Sequence, residues 1–311
     1  VQNNVPTLGI GVINDGKLQE VKVFGDLKKG VTAPYNTIWN VASLTKPITA
    51  IVTLKLVSSG KWDLDEPLYK YWTDPDIAND PNIKLLTTRI VLSHQTGFPN
   101  WRYMNKSGKL DFKFKPGTKY QYSGEGMEYL RKALEKKFHK SLDQLADELI
   151  FKPLKINDTK FTWGAITDVS RYATGYDNKG NAYEPTKNKT ASAADDLLTT
   201  LEDYGTFLCS VMNSDGLSKK VYEDMTAHQV QTKKNKYFGL GFEIYDLGND
   251  DFALSHGGAD NGVQTIFLLL PKTKQGLIIF TNVDEGYKVY EKILTHYMGE
   301  KGKKIIEIET K

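Results

Sequence analysis

The sequence predicts an α+β fold: one antiparallel sheet built from both chain ends and flanked by helices, with a mainly helical lobe inserted between them. Three observations predict it. Apolar, β-branched runs separated by turn residues occur before residue 42 and again after residue 236. The stretch between them carries short helical patterns and many Trp, Tyr, Asn, Asp and Pro residues. The 311 residues are 40% hydrophobic and 25% charged, the composition of a globular chain long enough for a large core. The expected division is residues 1–60 plus 191–311 for the sheet domain and 61–190 for the helical lobe, with a site at their seam.

Each element has its own signal. PTLGIGVIND and KLQEVKVFGDL read as strands joined by a hairpin turn at Asp15-Gly16. TIWNVA is a third, short strand. SLTKPITAIVTLKLVSSGK reads as a buried helix, with Ser43 as its cap, Pro47 in its first turn and Gly60 at its stop. TTRIVLSHQTG reads as a helix, and so does GMEYLRKALEKKFHKSLDQLADELIFKPL, with a break near His139-Lys140. ASAADDLLTTLEDYGTFLCSVMN is a further helix, capped by Ser192 or a neighbour. YFGLGFEIYDL, DFALSHGG, GVQTIFLLLP and QGLIIFTNV are strands, with a turn at the Pro-Lys-Thr-Lys-Gln-Gly segment. YKVYEKILTHYM closes the pattern as a helix, and the lysines at 301, 303 and 304 read as a solvated tail.

Composition narrows the function classes. Lys plus Arg is 41 against 38 for Asp plus Glu, a formal charge of +3, so no nucleic-acid surface is expected. One cysteine, Cys209, rules out an intramolecular disulfide and a cysteine-rich metal site; its apolar surroundings read as a structural thiol. No apolar stretch reaches the ~20 residues of a membrane span. The five histidines lack metal-ligand spacing, no Gly-x-Ser-x-Gly elbow occurs, and Gly9-x-Gly11 does not extend to a nucleotide fingerprint. Neither metal nor cofactor is expected.

Three stretches carry chemistry. In Ser43-Leu44-Thr45-Lys46, a hydroxyl and an amine lie one helical turn apart at a helix start. A serine becomes a nucleophile when a base takes its proton, and a lysine serves as that base when burial lowers its pKa. Ser58-Ser59-Gly60-Lys61 has the same pattern but sits at a helix end, where solvent and the dipole work against it. In PGTKYQYSGEG, Tyr120 and Tyr122 lie on a loop before a helix, where a tyrosine can relay a proton. In SHGGAD, His256-Gly257-Gly258 closes a strand, and the glycines admit a close approach of backbone or substrate.

Taken in order, SLTK after a strand, PGTKYQYSG before a helix and HGG late on a strand resemble the serine beta-lactamase-like superfamily of penicillin-binding proteins, class C beta-lactamases, esterases and D-aminopeptidases. GKWDLDEPLYKYW, VLSHQTGF, FKPLKINDTKF and SAADDLLTTLEDYGTFL extend the likeness over about residues 5–297. The resemblance implies Ser43 as acylated nucleophile, Lys46 as base or proton shuttle and Tyr122 as proton relay to the leaving group. It implies an oxyanion hole from the N–H groups of Ser43 and Ala259, with Gly257 and Gly258 along the substrate. His256 stands where many relatives carry Lys, and Gly124 where the family's Tyr-x-Asn motif has its Asn. Glu125 beside it reads as a solvated helix-start carboxylate, and His94 as a structural hydrogen-bonder.

The expected function is therefore a serine hydrolase acting through an acyl-enzyme on an ester, a peptide-like amide or a beta-lactam, with a small-molecule or peptide-like substrate as partner. The Gly124 and His256 changes favour the ester or amide. The alternative is a non-catalytic binding or sensor protein on the same fold. Family habit and the non-Met first residue, Val1, point to a periplasmic or secreted location; oligomeric state is open.

Overall fold

The computed structural model describes residues 4–166 and 168–311. Its eleven strands are β1 (Thr7–Asn14), β2 (Lys17–Lys28), β3 (Val31–Thr32), β4 (Trp39–Asn40), β5 (Leu198–Thr199), β6 (Val230–Lys233), β7 (Lys236–Phe238), β8 (Glu243–Gly248), β9 (Asp251–Asp260), β10 (Val263–Leu270) and β11 (Gln275–Thr281). Nine of them form one antiparallel sheet in the order β3-β2-β1-β11-β10-β9-β8-β7-β6, and β4 and β5 pair separately. The two chain ends meet at β1 and β11, where Leu8 pairs with Thr281 and Ile13 with Gly276. The β1–β2 turn uses Asp15 and Gly16, both at positive φ as a tight hairpin requires.

The helices are α1 (Thr45–Ser58), α2 (Thr88–Leu92), α3 (Gly124–Phe138), α4 (Leu142–Ala146), α5 (Lys152–Leu154), α6 (Leu201–Met212), α7 (Lys219–Thr226) and α8 (Tyr290–Thr310). Alternation along β11 serves two cores. Ile278 and Phe280 face α1 and α6, while Leu277 and Ile279 join Leu294, Ile305 and Ile308 of α8 on the other face. All of these side chains are buried.

Several elements depart from the sequence reading. Ser43 does not cap α1: it lies in a 3-10 turn, Ala42–Leu44, and Leu44 precedes the helix with no side-chain cap. The hydroxyl is left free for another use. α6 starts at Leu201, capped by Thr200, and not near Ser192. The stretch before it is drawn into irregular structure by Thr49 and Lys46, whose side chains donate to the carbonyls of Ala193 and Ala194. α2 ends at Leu92 because His94 and Gly97 turn left-handed, at φ +54° and +80°. YFGLGFEIYDL splits into β7 and β8 at Gly241 (φ +85°), where any Cβ would lie 2.3 Å from Ala50 of α1.

Near Lys301 the chain is not a solvated tail. After a kink at Gly299 (φ +54°), α8 continues to Thr310, burying Ile305 and Ile308 and pairing Lys301 with Asp251 at 2.7 Å. α7 buries only Val221 and Met225 in eight residues, too short an apolar pattern to mark a helix in the sequence. The break in the long middle helix falls at His139 (φ +53°), as expected, and Ser141 with Gln144 makes a capping box for α4.

Candidate active site

Ser43 is held by a strained turn. Ala42 sits at φ +47°, with its N–H on Asn40 Oδ1 at 2.8 Å, and Thr45 Oγ1 donates to the Ala42 carbonyl at 2.7 Å. These bonds offset the cost of a non-glycine residue in the left-handed region. They put Ser43 one turn before Lys46, whose Nζ donates to Ser43 Oγ at 2.9 Å. The same amine donates to the Ala194 carbonyl at 2.7 Å. Ala194 is fixed in turn: Glu128 accepts from Ser192 Oγ at 2.8 Å and from the Ala193 N–H at 2.7 Å. In contrast, Lys61 of the second Ser-x-x-Lys pattern is exposed and follows Gly60 at φ +70°.

Lys46 is 1% exposed. Burial lowers its pKa from 10.5 to about 8, against the attraction of Asp195 and Glu128 for its charged form. Asp195 is pushed up to about 7 by burial and by the neighbouring Asp196, with Lys46 opposing. An amine with a pKa near 8 keeps about one-tenth of its molecules neutral at pH 7, enough for a general base.

Tyr122 completes the cluster. Its ring lies 4.7 Å from Lys46 Nζ and packs against His94, centroid to centroid, at 4.3 Å. Burial holds its hydroxyl well above 10, with a hydrogen bond to Ser43 opposing. Tyr122 is therefore a proton donor and not a phenolate. His94 is buried, accepts the Ser123 N–H on Nδ1 at 3.1 Å and is kept neutral by burial, which fits the structural role expected for it.

The HGG strand adjoins these groups. β9 pairs with β8 only as far as Ser255, so residues 256–260 present an edge free of β8. A Cβ on Gly258 would meet the Val41 carbonyl and Thr265 Oγ1 at 2.4 Å each and the Ser43 nitrogen at 3.3 Å. Only glycine lets β9 come this close to the Ser43 amide. Gly257 and Ala259 are exposed on either side. His256 is buried with its ring 6.0 Å from that of Tyr122. Burial, helped by Lys46, lowers its pKa to about 3, so it is neutral. Its Nδ1 lies 2.7 Å from the Gly257 carbonyl, which assigns the proton there and leaves Nε2 as an acceptor with no partner among the described residues.

Gly124 opens α3, and the room an Asn would need there is already filled: a Cβ would lie 2.7–2.9 Å from three ring atoms of Trp101. Glu125 is not the solvated carboxylate expected. It is buried and bound by Arg102, whose Nη2 lies 2.8 Å away and also holds Asp74 at 2.8 Å. The structure thus brings Ser43, Lys46, Tyr122, His256 and the 257–259 edge together, and sets Gly124 against a tryptophan. Trp101, Asp195 and the Ala194 carbonyl escape a sequence reading, because tertiary packing brings them from distant segments. Cys209 is partly buried on α6, and burial raises its thiol to about 11.

A family described as Beta-lactamase matches residues 1–296. Protein flp of Staphylococcus aureus strain MW2 is 22% identical over 96% of this chain, which spans 64% of that relative's length. Among solved structures, an octameric penicillin-binding protein homologue from Pyrococcus abyssi superposes with a TM-score of 0.78 at 23% identity, covering 92% of this chain and 71% of its own. A D-stereospecific amidohydrolase from Streptomyces sp. gives 0.77 at 20% identity, covering 91% of each chain. These two structures share the fold with this chain. Among the described residues, no helix is long and apolar enough to cross a membrane.

Proposed function

The chain belongs to the beta-lactamase family, and from that premise we propose that it is a serine hydrolase working through an acyl-enzyme on an ester or a small peptide-like amide in preference to a beta-lactam. The observation that carries the reading is the 2.9 Å contact between Ser43 Oγ and a buried lysine of lowered pKa. Ser43 Oγ attacks the substrate carbonyl carbon, and its proton passes to neutral Lys46. The tetrahedral oxyanion lies between the N–H groups of Ser43 and Ala259. Tyr122 gives its proton to the departing oxygen or nitrogen, the carbonyl–heteroatom bond breaks, and Lys46 restores the phenol. Water repeats the sequence on the acyl-enzyme. Trp101 in the place of an Asn side chain, and a neutral His256, disfavour a beta-lactam. The Streptomyces neighbour, described as a D-stereospecific amidohydrolase, supports the amide class.

Intact-mass measurement after incubation with a fluorophosphonate tests the mechanism: one adduct, absent from Ser43→Ala, is expected. No adduct on the unmodified chain would favour a binding protein. Side-by-side turnover of a chromogenic ester and a chromogenic cephalosporin tests the substrate. Fast cephalosporin hydrolysis with negligible ester hydrolysis would reverse the ranking.

A further inference from the structure

A cavity of about 770 Å³ begins at Tyr122, His256 and Gly257 and runs between the sheet and α8. On the mechanism above, the departing group must touch Tyr122, its proton donor. The space that has Tyr122 for a wall is therefore on the leaving-group side. Ile266, Leu294 and Ile305 supply apolar wall, and Lys236, Glu243 and Glu309 are among its charged residues.

Lys236 is the buried cation of this space, 8% exposed, and its charge is already engaged. Glu243 of β8 holds it at 2.8 Å, and Glu309 of α8 binds it from the other side while also taking the Tyr245 hydroxyl. Lys288 is an exposed lysine paired with Glu285. Glu291 adds a further carboxylate, so the acids lining the cavity outnumber the bases. His256 is neutral and offers an acceptor. A carboxylate entering here would lose its hydration, meet carboxylates and find no uncommitted cation among the described lining residues. A neutral, mostly apolar group has no such cost.

We propose that this cavity receives the leaving group, and that Glu243 and Glu309, by neutralising Lys236, make it select neutral, largely apolar leaving groups over carboxylate-bearing ones. The proposal rests on the acyl-enzyme reading above. It also assigns a role to the part of α8 after Gly299, which lies beyond the residues the family match covers.

The acetate esters of 3-hydroxybenzamide and of 3-hydroxybenzoate test it, each kcat/KM being divided by the rate of spontaneous hydroxide hydrolysis. The chain is expected to prefer the neutral ester by about tenfold or more, and Glu309→Gln or Glu243→Gln to narrow that gap at least threefold, as removal of a repulsive element should. Narrowing by either variant supports the proposal; should loss of Glu309 loosen α8, Glu243→Gln on the sheet decides. A normalised ratio within twofold for the unmodified chain, or a ratio unmoved in both variants, overturns it. Fluorophosphonate labelling of Ser43 separates the two levels. Without a label the acyl-enzyme reading fails, whereas a labelled serine with no leaving-group preference sinks the cavity proposal alone.

Discussion

On the proposed mechanism Lys46 must be neutral to take the Ser43 proton, yet it lies in the field of two carboxylates, Asp195 and Glu128, that favour its charge. Burial is the larger influence, and the balance settles at about 8. The sign of the pH dependence follows. If Lys46 is the base, ester hydrolysis should rise as pH increases through about 8, because the active form is then the unprotonated amine. Asp195 raises the Lys46 pKa, so Asp195→Asn should move the midpoint of the kcat/KM profile to lower pH. A midpoint that stays, or climbs, in that variant would remove Asp195 from the base's environment. Lys46→Met should lower the acylation rate by about 10²- to 10⁴-fold, read as the rate of fluorophosphonate adduct formation. Tyr122 cannot replace the missing base, since burial keeps its phenol protonated.

At the scale of elements, the turn into α1 with its first helical residues, the loop before α3 and the free edge of β9 carry the site, and the elements around them differ in legibility. The first turn and the stop of α1 were readable because Pro47 and Gly60 act locally, through backbone conformation alone, whereas Ser43 is not its cap. The hairpin at Asp15-Gly16 was readable for the same reason. The segment before α6 was not: its Ala and Ser residues suit a helix, but Lys46 and Thr49 capture its carbonyls from across the molecule. The far half of α8 was hidden by Gly299 and Gly302, which interrupt the helical signal between Leu294 and Ile305. Ser43, Lys46, Tyr122 and HGG were legible as spaced motifs, while Trp101 was not. The absent Asn showed in sequence; what fills its place did not, since Trp101 lies 2.7 Å from a Cβ at Gly124 only through folding. Gly124→Asn should therefore cost about 1–3 kcal/mol by overpacking and bring no cephalosporin turnover. Pairing it with Trp101→Ala should ease the clash, so that the double variant loses less than the two single losses added together. Urea unfolding measures both; additive losses would show that ring and residue 124 do not compete for space.

At the scale of the whole molecule, one helix joins the stability of the sheet to the shape of the site. α8 packs Leu294, Ile305 and Ile308 on one face of the sheet, and its last turn brings Glu309 to Lys236, Tyr245 and Lys233. The same segment forms a wall of the cavity at Tyr122. Removing residues 300–311 therefore has two consequences from one cause. It uncovers apolar surface that Ile305 and Ile308 now bury, each worth about 1.5–3 kcal/mol, a large share of the 5–15 kcal/mol that holds a typical domain. It also opens the cavity at Tyr122, the proposed leaving-group side, and removes Glu309. The shortened chain should unfold at lower urea, and the folded fraction should hydrolyse carboxylate-bearing and neutral esters at more similar normalised rates. The Ser43–Lys46 contact and the Ala194 carbonyl belong to the turn into α1, α1 itself and the loop before α6, so fluorophosphonate labelling of Ser43 should survive the deletion. A shortened chain of undiminished stability would mean that the second half of α8 is not anchored through its isoleucines. One that is less stable but keeps the full preference for neutral leaving groups would mean that it anchors the sheet without shaping the site.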